Sequence, residues 1–369
     1  MSTPQLPLPE HFDVNQVDKV WRIPYQERQR EALTWAAQHS IPPASEDNFR
    51  TCLLLVDVQN TFCIPGYELF VGGRSGNGAV ADNIRLCQFI YRNLPQITKI
   101  ACTLDTHTAT QIFHEVFWIN DAGEHPLPLQ TLITPEDIET GRWRVNPAVV
   151  GSLNLPSQVP AANPYAWLQA YGEHYVKRLT EDGKYPLAIW PYHAMLGGIG
   201  HAVVSAVDEA CFFHTIARKT QTHYEIKGQN PLTENYSVLR PEVLNDMDGE
   251  PIAEKNSAFL QMLLGYDRVI IAGQAKSHCV AWTVSDLLAE IQGTDSELAK
   301  KVYLVDDLTS PVVVPGIVDY TEPADAAFAE AANAGMHIVQ STEPIAHMLF
   351  NEQKYQADAE AVEQGTAST

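Results

Sequence analysis

Residues 273–288, GQAKSHCVAWTVSDLL, constrain this chain more than any other stretch. They follow Val269-Ile270-Ile271-Ala272, a short β-branched apolar run that predicts a buried strand of a parallel sheet. Beyond them Val280, Trp282, Thr283, Val284, Leu287, Leu288 and Ile291 recur at helical spacing. This switch from strand to helix places Cys279 in the first turn of the helix, where unpaired N–H groups and the helix dipole favour thiolate over thiol. A lone cysteine at such a place is commonly just a buried core thiol, so its chemistry depends on what else the fold brings to it.

The rest of the chain supplies matching strands. Residues 51–57 (TCLLLVD) form an apolar run ending in Asp57, and residues 99–104 lead into Asp105-Thr106-His107. Residues 223–226 end at Lys227-Gly228, 302–305 end at Asp306-Asp307, and 337–339 complete the set; a further alternation spans 187–190. Helical spacing recurs at 80–94, 202–217 and 323–334. Strands alternating with helices predict an α/β fold, a doubly wound and mainly parallel sheet flanked by helices. In such a sheet ligands bind beyond the carboxyl ends of the strands, where Asp57, Lys227 and Cys279 would converge. Together they offer what acyl transfer needs: a thiol nucleophile, a carboxylate to take its proton and return it to a leaving amine, and a cation that favours the thiolate. Singly, Asp57 also reads as a helix cap and Lys227 as a surface lysine.

Several segments stand apart from this alternation. Residues 1–48 read as an N-terminal arm around a helix-like stretch at 24–39, residues 49–350 as the α/β domain, and residues 351–369 as an acidic tail. Within the domain, 120–186 is rich in Pro, Gly, Asn and Trp, with one helix near 167–181. A structureless loop of that length is improbable, so the segment is expected to be an inserted lid or an oligomer contact. Trp143, Tyr165, Trp167, Tyr171 and Tyr175 are too many aromatics for a solvated linker. They are expected to pack on the parent domain or on a second subunit, with the subunit contact, and hence a homo-oligomer, favoured.

A formal charge of −21 argues against nucleic acid and anionic membrane as partners and suits a small neutral substrate. The sequence has no apolar stretch of about 18 residues to span a bilayer. The first residues, MSTPQLPLPEHFDVNQ, lack the basic and apolar regions of a secretory signal. Cys52, Cys63, Cys87, Cys102, Cys211 and Cys279 are scattered without CxxC pairs, as free thiols in a reducing compartment would be. The expectation is a cytoplasmic enzyme.

Five ordered motifs carry a resemblance. DVQNTFCIPG (57–66), LDTH (104–107), WPYH (190–193), IKGQNPLTENYS (226–237) and GQAKSHCVAWTVSDLL together resemble the nicotinamidase branch of the isochorismatase-like cysteine hydrolases, over roughly residues 52–339 apart from the insertion. The resemblance implies the isochorismatase-like hydrolase fold, with Asp57 as general base, Lys227 as its triad neighbour and Cys279 as the nucleophile that forms a thioester. It also implies a cis peptide at Gln274–Ala275 and an oxyanion hole from the N–H groups of Ala275 and Cys279. Asp105, His107 and His193 would hold one divalent metal ion, zinc foremost, with iron or manganese as alternatives. His114 is a candidate further ligand, although its spacing from the DxH pair is one residue longer than the family's. Phe62 and Trp190 would line the pocket for a planar heteroaromatic amide. The sequence departs from the family at Thr61, where Asp is usual, at Ala194, where Cys is common, and at Gln274-Ala275-Lys276-Ser277, which replaces an apolar-Ala-Thr-Asp run.

The activity implied is hydrolysis of nicotinamide to nicotinate and ammonia by a metal-containing cysteine amidase. An amidase of the same superfamily acting on another small amide or carbamoyl compound is the nearest alternative, and a non-catalytic scaffold or regulatory binder keeping the fold is an alternative of another class. Isochorismatase chemistry cleaves a vinyl ether and needs neither the thiol nor the metal set.

Overall fold

A computed structural model of the chain describes residues 5–181, 185–345 and 348. Six strands form its central sheet: β1 (Thr51–Val56), β2 (Lys99–Asp105), β3 (His223–Lys227), β4 (Arg268–Gly273), β5 (Val302–Val305) and β6 (His337–Val339). All are parallel, in the order β6-β5-β4-β1-β2-β3. This is the doubly wound α/β arrangement expected from the sequence. The strand order reverses between β1 and β4, which creates a crevice beyond their carboxyl ends.

The longer helices are α1 (Tyr25–Gln38), α2 (Gly78–Arg92), α3 (Pro164–Glu181), α4 (Ser205–Arg218), α5 (Ser257–Leu264), α6 (Ala281–Thr294) and α7 (Thr321–Asn333). Successive side chains of the central strands point to opposite faces, so each strand feeds two cores. Leu53, Leu55, Ile100, Cys102, Ile270 and Ala272 pack against residues of α2 and α4. Cys52, Leu54, Val56, Ala101, Val269 and Ile271 pack against residues of α5, α6 and α7. Burial on both faces is why β1 and β4 read as continuous apolar runs. At the edge, β3 alternates, leaving Tyr224 and Ile226 exposed.

The alternation at 187–190 does not add a strand to this sheet. Leu187–Ala188 pairs antiparallel with Leu132–Ile133 in a separate two-stranded ribbon, because the polypeptide between them folds back on itself. The expected arm supplies α1, which is tied to α4 by Arg28 Nε to Glu209 Oε1 at 2.6 Å and by the Tyr25 hydroxyl donating to Asp208 at 2.7 Å. The acidic tail expected at 351–369 lies outside the described residues.

Residues 120–181 carry secondary structure of their own, with α3 as the main piece. Trp143, Trp167, Tyr171 and Tyr175 are buried in a third core together with Phe113, Phe117, Trp118, Leu232 and Val243, while Tyr165 packs at its margin. Of the two packings expected for these aromatics, the one on the parent domain is what the chain shows. The third core takes in residues on either side of the insertion and from the loop after β3, so the segment is fastened to the domain at several places.

One glycine fixes the seam on which the site is built. Gly273, opposite Val56 in the β1–β4 register, has φ +119°, and a Cβ there would run into the Val56 backbone. Both the conformation and the contact require glycine. Gly273→Ala is expected to destabilise the protein by more than about 3 kcal/mol. In contrast, Gly293→Ala near the end of α6, where nothing lies within 4 Å, should be neutral or stabilising by up to about 1 kcal/mol. Chemical denaturation of the two variants checks this, and similar stabilities would contradict it.

Candidate active site

The carboxyl ends of four adjacent strands bring the expected residues together. Asp57 follows β1 with φ +48°, a left-handed turn that takes the chain out of the strand at once. Its side chain is fully buried, and Thr103 on β2 holds it: the Asp57 N–H donates to Thr103 Oγ1 at 3.0 Å, and that hydroxyl donates to Asp57 Oδ1. At the end of β3, Lys227 Nζ donates to Asp105 Oδ1 at 2.9 Å and to the Asn235 carbonyl at 2.8 Å. The same nitrogen is 3.0 Å from Asp57 Oδ2 and 3.6 Å from Cys279 Sγ. Asp57 Oδ2 accepts no aligned hydrogen bond from this ammonium, which leaves its lone pairs facing the thiol.

Cys279 sits in a single π-turn, Lys276–Val280, that leads directly into α6. The Gln274–Ala275 peptide before it is cis. Among the described residues the Ala275 N–H donates to no backbone or side-chain acceptor. Gln274 anchors the turn, its amide donating to Asp82 Oδ2 at 2.8 Å and its carbonyl accepting from the Ser310 N–H at 3.2 Å.

The electrostatics correct one expectation. Burial pushes the Cys279 thiol well above its ordinary pKa, and Asp57 and Asp105 push it further, while Lys227 pulls the other way and does not prevail. The resting group is a thiol, because desolvation at this depth outweighs a helix start and one cation. Burial also raises Asp57, against the pull of Lys227. Burial works against the Lys227 charge as well, but Asp105, Asp57 and Cys279 together hold the ammonium well above the usual lysine value.

Beside this group lies a second cluster. Asp105, His107 and His193 are all buried, and each offers a ligand atom within 4.8 Å of the others. Asp105 Oδ2 is 2.7 Å from His107 Nε2 and 3.5 Å from His193 Nε2. The Nδ1 atoms face backbone carbonyls, of Gly228 at 3.3 Å and of Pro191 at 2.7 Å. Neutral imidazoles that donate from Nδ1 turn Nε2 lone pairs toward the carboxylate, an arrangement that suits a cation among the three. The donor set therefore fits a divalent metal ion. Gly228 makes room for it: a Cβ at this φ +84° residue would stand 2.9 Å from both Asp105 Oδ1 and His107 Cε1.

His114 does not join the cluster. Its ring centroid is 6.1 Å from that of His107 and 6.4 Å from that of His193, and its Nδ1 is 3.2 Å from the Ala109 carbonyl. Its ring packs on that of Tyr192 at 4.7 Å, and its buried Nε2 has no hydrogen-bond partner among the described residues. Burial, then His193 and His107, lower its pKa to about 3.

Both clusters open into one cavity of about 270 Å³, lined among others by Phe62, Trp190, Tyr236, His278 and Val312. Phe62 meets His193 edge-on at 5.8 Å. Trp190 Nε1 donates to Glu234 Oε1 at 2.9 Å and to the Tyr236 hydroxyl at 3.1 Å. Glu234, Tyr236 and His278 were not singled out from the sequence. The first two stand within the IKGQNPLTENYS motif, and His278 directly precedes the cysteine, so proximity to those motifs was the available signal.

No family model matches the sequence, and no curated protein matches it. Among solved structures the chain is similar to an Acinetobacter baumanii nicotinamidase/pyrazinamidase, at 18% identity over 80% of this chain and 99% of that one, with a TM-score of 0.45. It is also similar to the pyrazinamidase of Pyrococcus horikoshii in complex with zinc, at 17% identity over 79% and 99% of the chains with a TM-score of 0.41. L. infantum PnC1 in complex with nicotinate is matched at 16% identity over 81% and 96%, with a TM-score of 0.43. Identities and scores this low leave the functional reading to the geometry of the site.

The buried Glu234 generates a prediction. Burial raises its pKa from the usual 4.5 to about 8, against the hydrogen bonds that favour its charge. Between these values the folded protein keeps a proton that the unfolded chain has lost, so this group makes stability fall as pH rises through that window. Glu234→Gln should remove the penalty. Denaturation of both proteins across pH 4.5–8 should show the variant gaining on the wild type as pH rises; a constant difference would contradict it.

Proposed function

We propose that this chain is a cysteine amidase acting on a small planar amide, most simply nicotinamide, with a divalent metal ion, zinc foremost, beside the nucleophile. The observation that carries the reading is the contact of one buried ammonium, Lys227 Nζ, with both Asp57 Oδ2 at 3.0 Å and Cys279 Sγ at 3.6 Å, on the wall of a cavity. That volume, just under the range of about 300–1,000 Å³ of sites for drug-sized ligands, suits a single-ring amide. The choice of nicotinamide follows the sequence motifs and the flat faces of Phe62 and Trp190.

In this reading Asp57 takes the Cys279 proton through Oδ2, and the sulfur attacks the amide carbon. Negative charge gathers on the former carbonyl oxygen, to which the Ala275 and Cys279 N–H groups donate. Asp57 then gives its proton to the amine, the C–N bond breaks, and ammonia leaves a thioester on Cys279. Water attacks the thioester, giving its proton to Asp57, and that proton returns to sulfur as the acid departs. Lys227 keeps its charge throughout and offsets the negative charge that moves between Asp57 and Cys279. Asp105, His107 and His193 would hold the metal ion, which when bound supplies a Lewis-acid site for a ring nitrogen or water.

Cys279→Ala should lower ammonia release by at least about a thousandfold, and Asp57→Asn by about a hundredfold or more. Ammonia assays on a panel of amides, together with mass spectrometry of the acyl adduct on Cys279, test this. Retention of more than a few per cent of activity by Cys279→Ala would sink the covalent route.

His193→Ala should lose the metal ion, seen by elemental analysis of the native and variant proteins, while an alkylating reagent still labels Cys279 at a comparable rate. Metal-free native protein, or a metal content unaffected by the substitution, would refute the assignment of the ligands.

A further inference from the structure

His278 lies next to the nucleophile and lines the same cavity, yet neither the thiol chemistry nor the metal set uses it. Its ring is wedged among aromatics: Tyr320 at 4.8 Å, Tyr185 at 5.0 Å, Tyr236 at 5.5 Å and Trp190 at 5.9 Å. Burial alone lowers its pKa to about 4, with no charged group contributing. The imidazole is therefore neutral near pH 7, and its tautomer decides what it shows to a ligand.

The neighbouring serine fixes that tautomer. Ser277 Oγ accepts the Val312 N–H at 3.0 Å and lies 2.8 Å from His278 Nδ1. Ser277 is almost fully buried, so its hydroxyl proton needs an acceptor, and among the described residues His278 Nδ1 is the one within reach. Nδ1 therefore accepts, and the ring proton sits on Nε2. That atom makes no hydrogen bond among the described residues and is not one of the fully enclosed unpartnered atoms. Other polar groups on this wall are already engaged: Trp190 Nε1 by Glu234 and Tyr236, and Asn235 Nδ2 by the Ser237 carbonyl at 3.3 Å.

We propose that His278 is a specificity-determining residue: its Nε2–H donates to a hydrogen-bond acceptor that the substrate carries in addition to its carboxamide and to any atom held by Asp105, His107 and His193. The inference rests on the amidase reading for the word substrate, but the binding it describes does not require turnover. Within the amides proposed above it favours those with a second acceptor, such as a second ring nitrogen or an oxo substituent, over nicotinamide, whose one ring nitrogen is left to Asp105, His107 and His193. A site that presents a donor in a desolvated wall disfavours analogues that leave the donor unpaired.

The test uses the Cys279→Ala protein, which binds without turnover, and calorimetry with benzamide, pyridine-3-carboxamide and pyrimidine-5-carboxamide, a series with successively more ring acceptors. Adding His278→Phe, which keeps a ring but removes the donor, should reduce the preference for pyrimidine-5-carboxamide over benzamide by about three- to tenfold. His278→Gln, which restores an N–H at a similar reach, should recover it. An unchanged preference in His278→Phe, or no measurable binding of pyrimidine-5-carboxamide to the parent, overturns the proposal. Nitrogen NMR of the unsubstituted protein adds a readout independent of the variants: Nε2 should carry the proton, and a proton on Nδ1 overturns the proposal. If native protein releases no ammonia from any of these amides while binding still depends on His278, the amidase reading fails and this one stands; the reverse result separates them the other way.

Discussion

The Lys227 ammonium is the interaction on which the site depends. It is buried at the end of one strand and touches two carboxylates and a thiol that come from the ends of three others. Three acidic groups this close and this dry would repel one another if more than one were ionised without it. Removing one member of such a cluster leaves the others uncompensated, which costs about 3–5 kcal/mol in buried pairs. The sheet therefore does more than display these residues. Its register, with Asp105 opposite Lys227 and Val56 opposite Gly273, sets the distances at which the charges offset each other.

Much of the fold was legible because β1 and β4 are buried on both faces, so their apolar runs stand out against polar ends. The edge strand β3 was legible for a different reason, its termination at Lys227-Gly228. The stretch at 187–190 misled because two alternating residues suffice for a local ribbon, and nothing in its own composition says which partner it will find. The insertion hid its partners for a similar reason. Trp167, Tyr171 and Tyr175 mark an apolar face, but the matching surface comes from Phe113, Trp118 and Leu232, far away in sequence.

Within the site, residue types and strand ends indicated Asp57, Lys227 and Cys279, and the motif resemblance added Asp105, His107 and His193; the structure brings all six together. Protonation was not legible. The sequence placed Cys279 at a helix start and so suggested a thiolate, whereas depth of burial reverses the direction, and depth is a property of the whole fold. Likewise one sequence does not decide whether His114 stands with the ligand group, which in the structure is Asp105, His107 and His193. His278 could not be read at all from one sequence, because its tautomer is decided by Val312, 34 residues further along the chain, through Ser277.

The way α3 is fastened has a consequence for how this protein can vary. The Tyr171 hydroxyl donates to the Leu232 carbonyl at 2.9 Å, and the Tyr175 hydroxyl accepts the Glu234 N–H at 3.1 Å. These bonds brace the same loop whose Asn235 carbonyl receives Lys227. The inserted segment thus buttresses the loop that holds Lys227, and its Leu129 also lines the cavity. Substitutions within the insertion, and changes in its length, are therefore mechanically coupled to the charge cluster around Lys227 through that loop.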